Sequence, residues 1–314
     1  CKTCGVRTML LSLSATEALV TSVCLSCLFV GSLYVWFLFG ESSHDRDNPR
    51  VIKQRFLSIG CICIISPFAV WFWMAETPPF DHLTREHLRW IGLTSVGLLE
   101  AMFLPLLLTM MIFLGPLVLN FITVVSSEYE SESLSSRLSS EMKRIKDEMF
   151  SSETRLMTIR NIVVGPFCEE WVFRSCICSL LIAGGWGFWS TVLISPVLFG
   201  AAHLHHLLGH VKSQGVSLQH ALIIVVFQLC YTTAYGVYAS FVFLRTGHFI
   251  AVFFIHAFCN LMGVPDFSWM FHRHPFRKYR VVLMLSFVLG ISLFFHQIYP
   301  LTDPRIYDSV YIKI

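Results

Sequence analysis

The chain reads as an all-α polytopic membrane protein, with about eight transmembrane helices enclosing an intramembrane polar cavity. Three observations lead there. Of 314 residues, 55% are hydrophobic and only 14% charged, with a mean hydropathy of +0.65. Soluble domains carry roughly a quarter charged residues. The apolar residues gather into eight runs, each near or above the ~20 residues that a bilayer requires. The later runs are interrupted by ionisable side chains, which are costly in hydrocarbon and mark functional positions. No basic patch suited to nucleic acid is evident. The net charge of +3 says little, since placement of charge governs a membrane protein.

The first apolar run covers about 18–40, entered at Glu17 and left at Glu41. A polar loop, 41–56, carries Arg46, Arg50, Lys53 and Arg55. The second run, about 57–75, ends in Trp71-Phe72-Trp73, an aromatic belt of the kind found at membrane interfaces. Residues 76–89, from Glu76-Thr77-Pro78-Pro79 onward, form a loop. The third run, about 91–124, is too long for one straight span. Glu100, Pro105 and the Gly115-Pro116 step predict a kinked helix, or an interfacial helix leading into a span.

Residues 125–160 are the one extended polar stretch, opening Ser126-Ser127-Glu128. Leu134, Leu138, Met142, Ile145 and Met149 then recur at helical spacing, with Lys143, Arg144, Lys146 and Asp147 between them. Two structures fit that pattern: an amphipathic helix on the membrane surface, or a solvated helix packed on the protein. Five further runs follow at about 161–183, 187–207, 219–244, 248–264 and 281–298, with Gly184-Gly185 as a tight turn. The whole of 1–314 thus forms a single transmembrane domain, with 161–264 as its core spans. Alternating the connections across a membrane puts 7 Lys and Arg on one side and 15 on the other, with Arg174 inside a span. The richer side, which includes 125–160, belongs in the cytosol.

Eleven cysteines lie mostly inside apolar runs and read as reduced, buried thiols. Cys1/Cys4 and Cys24/Cys27 have CxxC spacing, but nothing at zinc-ribbon distance completes either pair.

The chain's chemistry centres on Gly165-Pro166-Phe167-Cys168-Glu169-Glu170-Trp171-Val172-Phe173-Arg174. Glu170 and Arg174 lie four apart with the acid first, the favourable order for an intrahelical ion pair. Glu169 points about 100° away and has no such partner. One acid is tied down and the other is free. Two more spans bring polar groups: Phe199 and His203 on one face, then His256 and Asn260 on one face. Burying so many is expensive unless they meet one another or a shared water. A carboxylate and an imidazole can together deprotonate water, while a second imidazole and an amide N–H can donate to an oxyanion. That equipment suits a hydrolase attacking a carbonyl with activated water. His205, His206 and His248 are further histidines that fit supporting or interfacial places, and Arg245-Thr246-Gly247-His248 fits a loop or cap.

Other readings use the same residues. His203, His205, His206, His256 and the glutamate pair are adequate zinc ligands by type, although HExxH is absent. A cysteine protease could pair Cys168 with His203, but nothing near Cys168 in sequence lowers its pKa. A non-catalytic scaffold or transporter could use buried polar groups to bind an ion or hold helices together.

The set Glu169, Glu170, Arg174 (EExxxR), Phe199, His203 (FxxxH) and His256, Asn260 (HxxxN) resembles the CAAX protease and bacteriocin-processing family. Within it, Phe199-Gly200-Ala201-Ala202-His203-Leu204-His205-His206, Arg245-Thr246-Gly247-His248 and Leu301-Thr302-Asp303-Pro304 resemble the eukaryotic type II CAAX prenyl endopeptidases, the Ras-converting enzymes. The resemblance covers mainly 160–305. It implies a multi-pass endoplasmic reticulum protein, open to the cytosol, that removes the last three residues from farnesylated or geranylgeranylated CAAX proteins. Small GTPases such as Ras are the implied partners, with membrane lipid around them. It implies Glu169 and His203 as the water-activating pair and His256 and Asn260 as the oxyanion hole. Glu170, Arg174 and Phe199 support them, with neither cofactor nor metal.

Overall fold

The computed structural model describes residues 13–40, 45–74, 85–126, 133–212, 215–271 and 275–312. Cys1/Cys4, Glu41, the stretch Glu76-Thr77-Pro78-Pro79 and Ser127-Glu128 lie outside them. The described residues form helices and turns with no strand, as hydrocarbon demands of a chain that must satisfy its own backbone.

Helix α1 spans Ala15–Ser32 and opens with a reciprocal capping box. The Ser14 amide donates to Glu17 at 2.8 Å and the Glu17 amide to the Ser14 hydroxyl at 3.2 Å. The acid that marks the first span's entry is therefore the N3 member of the capping box on Ser14. Helix α2 is Pro49–Met74. Helices α3 (Leu98–Ile112) and α4 (Leu114–Val125) meet at a 77° bend, so the third run is a broken element as expected. The break falls at Phe113, two residues before Gly115-Pro116. Glu100 sits in the first turn of α3, where a helix N-terminus favours an acid.

Helix α5 is Leu134–Met149. Its Leu138, Met142 and Ile145 are 39, 71 and 42% exposed, so the rest of the described chain does not cover this stripe. A continuous helix over 155–183 follows as α6. Then come α7 (Phe188–Ala202), α8 (Leu218–Thr246), α9 (Phe249–Met262) and α10 (Arg280–Gln297).

Each of the eight apolar runs lands on a helix. Among the described residues five helices are long and apolar enough to cross a membrane, and the bent α3–α4 pair makes six. The other two are α6, which π-helical turns interrupt, and α9, with 14 residues. The chain is a multi-pass membrane protein, and its outer faces carry large exposed apolar side chains such as Ile64, Phe72, Val197 and Phe227.

The connections sort into two sets by contact. In one, Trp186 donates to the Ala15 carbonyl, Ser179 to the Trp90 carbonyl, Arg89 pairs with Asp308, and Ser309 donates to the Leu244 carbonyl. In the other, Arg160 reaches the Arg46 carbonyl and Asp47, and Ser126 meets Tyr279. These sets match the alternation counted from the lysines and arginines. Arg245-Thr246-Gly247-His248 is indeed a cap. Gly247 ends α8, His248 begins α9, and Arg245 bonds Thr302 and the Tyr299 carbonyl.

Helix α6 is the centre of the molecule. Val172, Phe173, Cys176, Ile177, Leu180 and Leu181 have no accessible surface, and α1, α2, α7, α8 and α9 pack around it. The nine described cysteines are free thiols. Only Cys168, Cys176 and Cys178 are buried, whereas Cys24, Cys27, Cys61 and Cys230 are exposed. The expectation of buried thiols is corrected there, because a helix in lipid can point a weakly polar side chain outward at little cost.

Candidate active site

The acidic pair lies on a locally rewound stretch of α6. Pro166 lacks an N–H and its ring crowds the carbonyl four residues back, so an ordinary α-turn cannot continue through it. The helix widens into a π turn over Arg160–Val164, and the Gly165 amide donates to the Arg160 carbonyl. Glycine is required at that point, since a Cβ on Gly165 would lie 2.8 Å from the Arg160 oxygen. One α-helical turn, Gly165–Glu170, carries the two acids, and a second π turn follows over Trp171–Cys178. Such π insertions are frequent at functional sites.

The two acids then diverge. Glu170 and Arg174 are both fully buried, with Arg174 Nη1 donating to Glu170 Oε1 at 3.2 Å. The same oxygen accepts from the Tyr235 hydroxyl at 3.1 Å and from His256 Nδ1 at 2.6 Å. A carboxylate only accepts, so His256 Nδ1 carries the hydrogen. The Arg174 guanidinium stacks over Phe199 at 4.3 Å to the ring centroid, a cation–π contact. Gly236 of α8 makes room for it, since a Cβ there would sit 3.1 Å from Arg174 Nη2 and 2.9 Å from Pro196 Cβ.

Glu169 is 26% exposed, and its Oε2 lies 3.8 Å from His256 Nε2. His256, nearly buried on α9, therefore stands between the two carboxylates, fixed by Glu170 and facing Glu169. His203 caps the end of α7 with Nδ1 2.8 Å from the Phe199 carbonyl oxygen. That carbonyl can only accept, so Nδ1 is the protonated nitrogen and Nε2 of the neutral ring keeps its lone pair. Phe199 thus serves twice, by stacking on Arg174 through its ring and by orienting His203 through its backbone. Asn260, one turn beyond His256, is exposed and donates one amide hydrogen to the Asn161 carbonyl at 2.8 Å, leaving the other available.

Glu169, His203, His256 and Asn260 all line one cavity of about 1430 Å³. Its apolar wall includes Phe29, Leu33, Phe113 and Phe294, while Arg46, Arg55 and Arg160 line it as well. Glu170 and Arg174 stand behind this lining, where they hold His256. His205 and His206 reach the cavity with Nδ1 on the Ala202 carbonyl and on Gln228 respectively. His248 lies elsewhere, buried at the α8–α9 junction against Tyr307. Cys168 is buried in the apolar core and does not line the cavity, which removes the thiol reading. Among the described residues no group of three or more His, Cys, Asp and Glu is arranged to hold a metal ion.

Tyr235 and Asn161 complete the site, and no sequence motif marks either. A tyrosine inside an apolar span carries no signal of its own. Only the packing of α8 against α6 and α9 shows that its hydroxyl ends on Glu170.

Comparison with known proteins gives a consistent result. A family model described as Type II CAAX prenyl endopeptidase Rce1-like matches residues 151–262, the stretch that holds all seven motif residues. The chain is 35% identical over 291 residues to CAAX prenyl protease 2 of Homo sapiens, covering 91% of this chain and 81% of that protein. It is 32% identical over 289 residues to CAAX prenyl protease 2 of Rattus norvegicus, covering 91% and 80%. With CAAX prenyl protease 2 of Arabidopsis thaliana it shares 30% identity over 302 residues, 95% of this chain and 93% of that one. No solved structure matches. A relative at this identity over most of both chains, joined to the family model over the motif-bearing helices, settles the matter: the chain belongs to the type II CAAX prenyl endopeptidase family.

Proposed function

We propose that this protein is a metal-independent intramembrane endopeptidase that removes the C-terminal tripeptide from farnesylated or geranylgeranylated CAAX proteins. The observation that carries this reading is His256 held between Glu170 at 2.6 Å and Glu169 at 3.8 Å on the wall of a cavity that also contains His203 and Asn260. Glu169 takes a proton from water, assisted by the lone pair on His203 Nε2. The hydroxide adds to the carbonyl of the prenylated cysteine. His256 donates from Nε2 and Asn260 from its free amide hydrogen to the resulting oxyanion. To donate from Nε2 while Nδ1–H stays on Glu170, the imidazole carries a hydrogen on each nitrogen at this step. The C–N bond then breaks, the leaving nitrogen takes the proton from Glu169, and the free tripeptide departs.

A membrane location follows from the substrate. A long isoprenoid needs an apolar wall or lipid, and the peptide needs polar groups beside it. The side rich in lysine and arginine faces the cytosol of the endoplasmic reticulum membrane, where prenylated small GTPases such as Ras arrive. The exposed stripe of α5 lies on that membrane surface.

The test is cleavage of a farnesylated CAAX peptide by purified protein in detergent, with a non-prenylated control, with and without a strong zinc chelator. The expected result is release of the tripeptide from the prenylated peptide alone, with chelation harmless. Activity lost to the chelator and restored by zinc would make the same histidines and glutamates metal ligands instead.

A further inference from the structure

The cavity carries cations that the hydrolytic machinery does not use, beside the carboxylates Asp45 and Asp47. Arg46, Arg55 and Arg160 all line it. Arg160 is fully engaged: Nε donates to Asn161 Oδ1 at 2.9 Å, Nη1 to the Arg46 carbonyl at 2.7 Å, and Nη2 to Asp47 at 2.9 Å. It fixes the 45–47 turn against the start of α6 and leaves Asp47 taken. Arg46 is left with that same Asp47 at 3.9 Å, beyond hydrogen-bonding distance. The Arg46 side chain is 48% exposed, so it reaches the cavity with water around part of it. Arg55, on the first turns of α2, makes no ion pair among the described residues, and its Nε is buried without a hydrogen-bond partner. Its electrostatic neighbours are Tyr34, Arg46, Arg160 and Asp47, and those of Arg46 include Glu169 itself. An arginine that lines a cavity without an ion-pair partner among the described residues suits an incoming anion.

Resting on the reaction proposed above, we infer that Arg55, with Arg46 beside it, receives the free C-terminal carboxylate of the substrate and so selects chain ends over internal sequences. The scissile bond lies three residues from that carboxylate, a reach of about 10 Å for an extended chain. Glu169 and Arg55 line the same cavity of about 1430 Å³, so both ends of that stretch have a partner in one space. Arginine presents a planar fork that matches a carboxylate bidentately, which a lysine cannot do. The carboxylate recognition would make the enzyme release a tripeptide of fixed length, because water attacks only where both ends of the register are held.

The experiment compares a farnesylated CAAX peptide ending in a free acid with the same peptide ending in a carboxamide. Wild type, Arg55→Gln, Arg55→Lys and Arg46→Gln are assayed in uncharged detergent and in nanodiscs containing phosphatidylserine. Wild type is expected to favour the acid by roughly 10- to 100-fold in kcat/KM, mainly through KM, as for a hydrogen bond to a charged group. Arg55→Gln should bring that ratio toward one, Arg46→Gln should reduce it, and Arg55→Lys should keep part of it. Equal cleavage of acid and amide by wild type overturns the inference while the proposed hydrolase stands, and it needs no variant to fold. If wild type cleaves neither peptide, the hydrolase reading itself fails and the inference with it. An Arg55→Gln effect that appears only in phosphatidylserine, and equally for acid and amide, would instead assign the cations to a lipid phosphate.

Discussion

The Glu170–Arg174 pair offers a quantitative test of how the site is held. Both side chains are fully buried, and Glu170 Oε1 accepts from Arg174, Tyr235 and His256 together. Arg174→Met removes the cation and leaves a buried carboxylate without its counter-charge, a loss of about 3–5 kcal/mol. Glu170→Gln leaves a buried guanidinium unpaired, with a loss of about the same size. The double variant removes both charges. Its Gln can still accept from Tyr235 and His256, and Met fills the volume against Phe199 and Gly236. Replacing a buried ion pair by uncharged groups is often close to neutral, so the double variant should be more stable than either single one. With each single loss at about 3–5 kcal/mol and the double variant losing less than either, the coupling should exceed about 3 kcal/mol, at or beyond the upper range for residues in one network. Unfolding in detergent, followed by tryptophan fluorescence against denaturant, measures all four corners of the cycle. Single-variant losses that simply add in the double variant would refute the reasoning, since they would mean that the two charges do not depend on each other.

Three other outcomes are expected. Gly165→Ala puts a methyl group 2.8 Å from the Arg160 oxygen, so the π turn must move and carry Glu169 with it; kcat should fall by about tenfold or more, with stability lower by about 1–3 kcal/mol in the same unfolding assay. Tyr235→Phe removes one of three donors to Glu170, and should cost about 0.5–1.5 kcal/mol of stability and lower kcat more than it changes KM. Arg245→Gln weakens the contacts to Thr302 and Tyr299, so limited carboxypeptidase digestion should enter the C-terminal tail sooner than in wild type, while the cavity residues keep their places.

Much of this is legible in the sequence. Charge content and the eight apolar runs predict a helical membrane protein, and each run is helical, the third as the bent α3–α4 pair. The bend at Phe113 follows from a run too long for one span that contains Gly115-Pro116. The division of labour between Glu169 and Glu170 follows from helical spacing alone, since only one of two adjacent residues can face Arg174. What spacing could not supply was the meeting of spans. His256 lies 86 residues from Glu170, and its place between the two acids depends on how α9 packs on α6. The Tyr235 hydroxyl and the link from Arg160 to the 45–47 turn are likewise products of tertiary packing. The π widening around the acids had a local cause in Pro166. A proline within an apolar run is also compatible with a simple kink, so the sequence did not distinguish the two. The cations of the 41–56 loop were visible as a topology signal only. Their presence in the cavity depends on where α2 begins.

Glu169, exposed to the cavity and free of Arg174, is the proposed base. Glu169→Gln keeps the side chain's shape and removes its basicity. The direct measurement is single-turnover cleavage of a farnesylated CAAX peptide by wild type and Glu169→Gln, with binding of the peptide measured separately. General-base catalysis contributes about 10²- to 10⁴-fold. The account predicts a loss of rate in that range, with peptide affinity within about threefold of wild type and an unfolding transition unchanged in midpoint. A well-folded Glu169→Gln that cleaves within about tenfold of the wild-type rate would contradict it and move the base to another residue of the cavity.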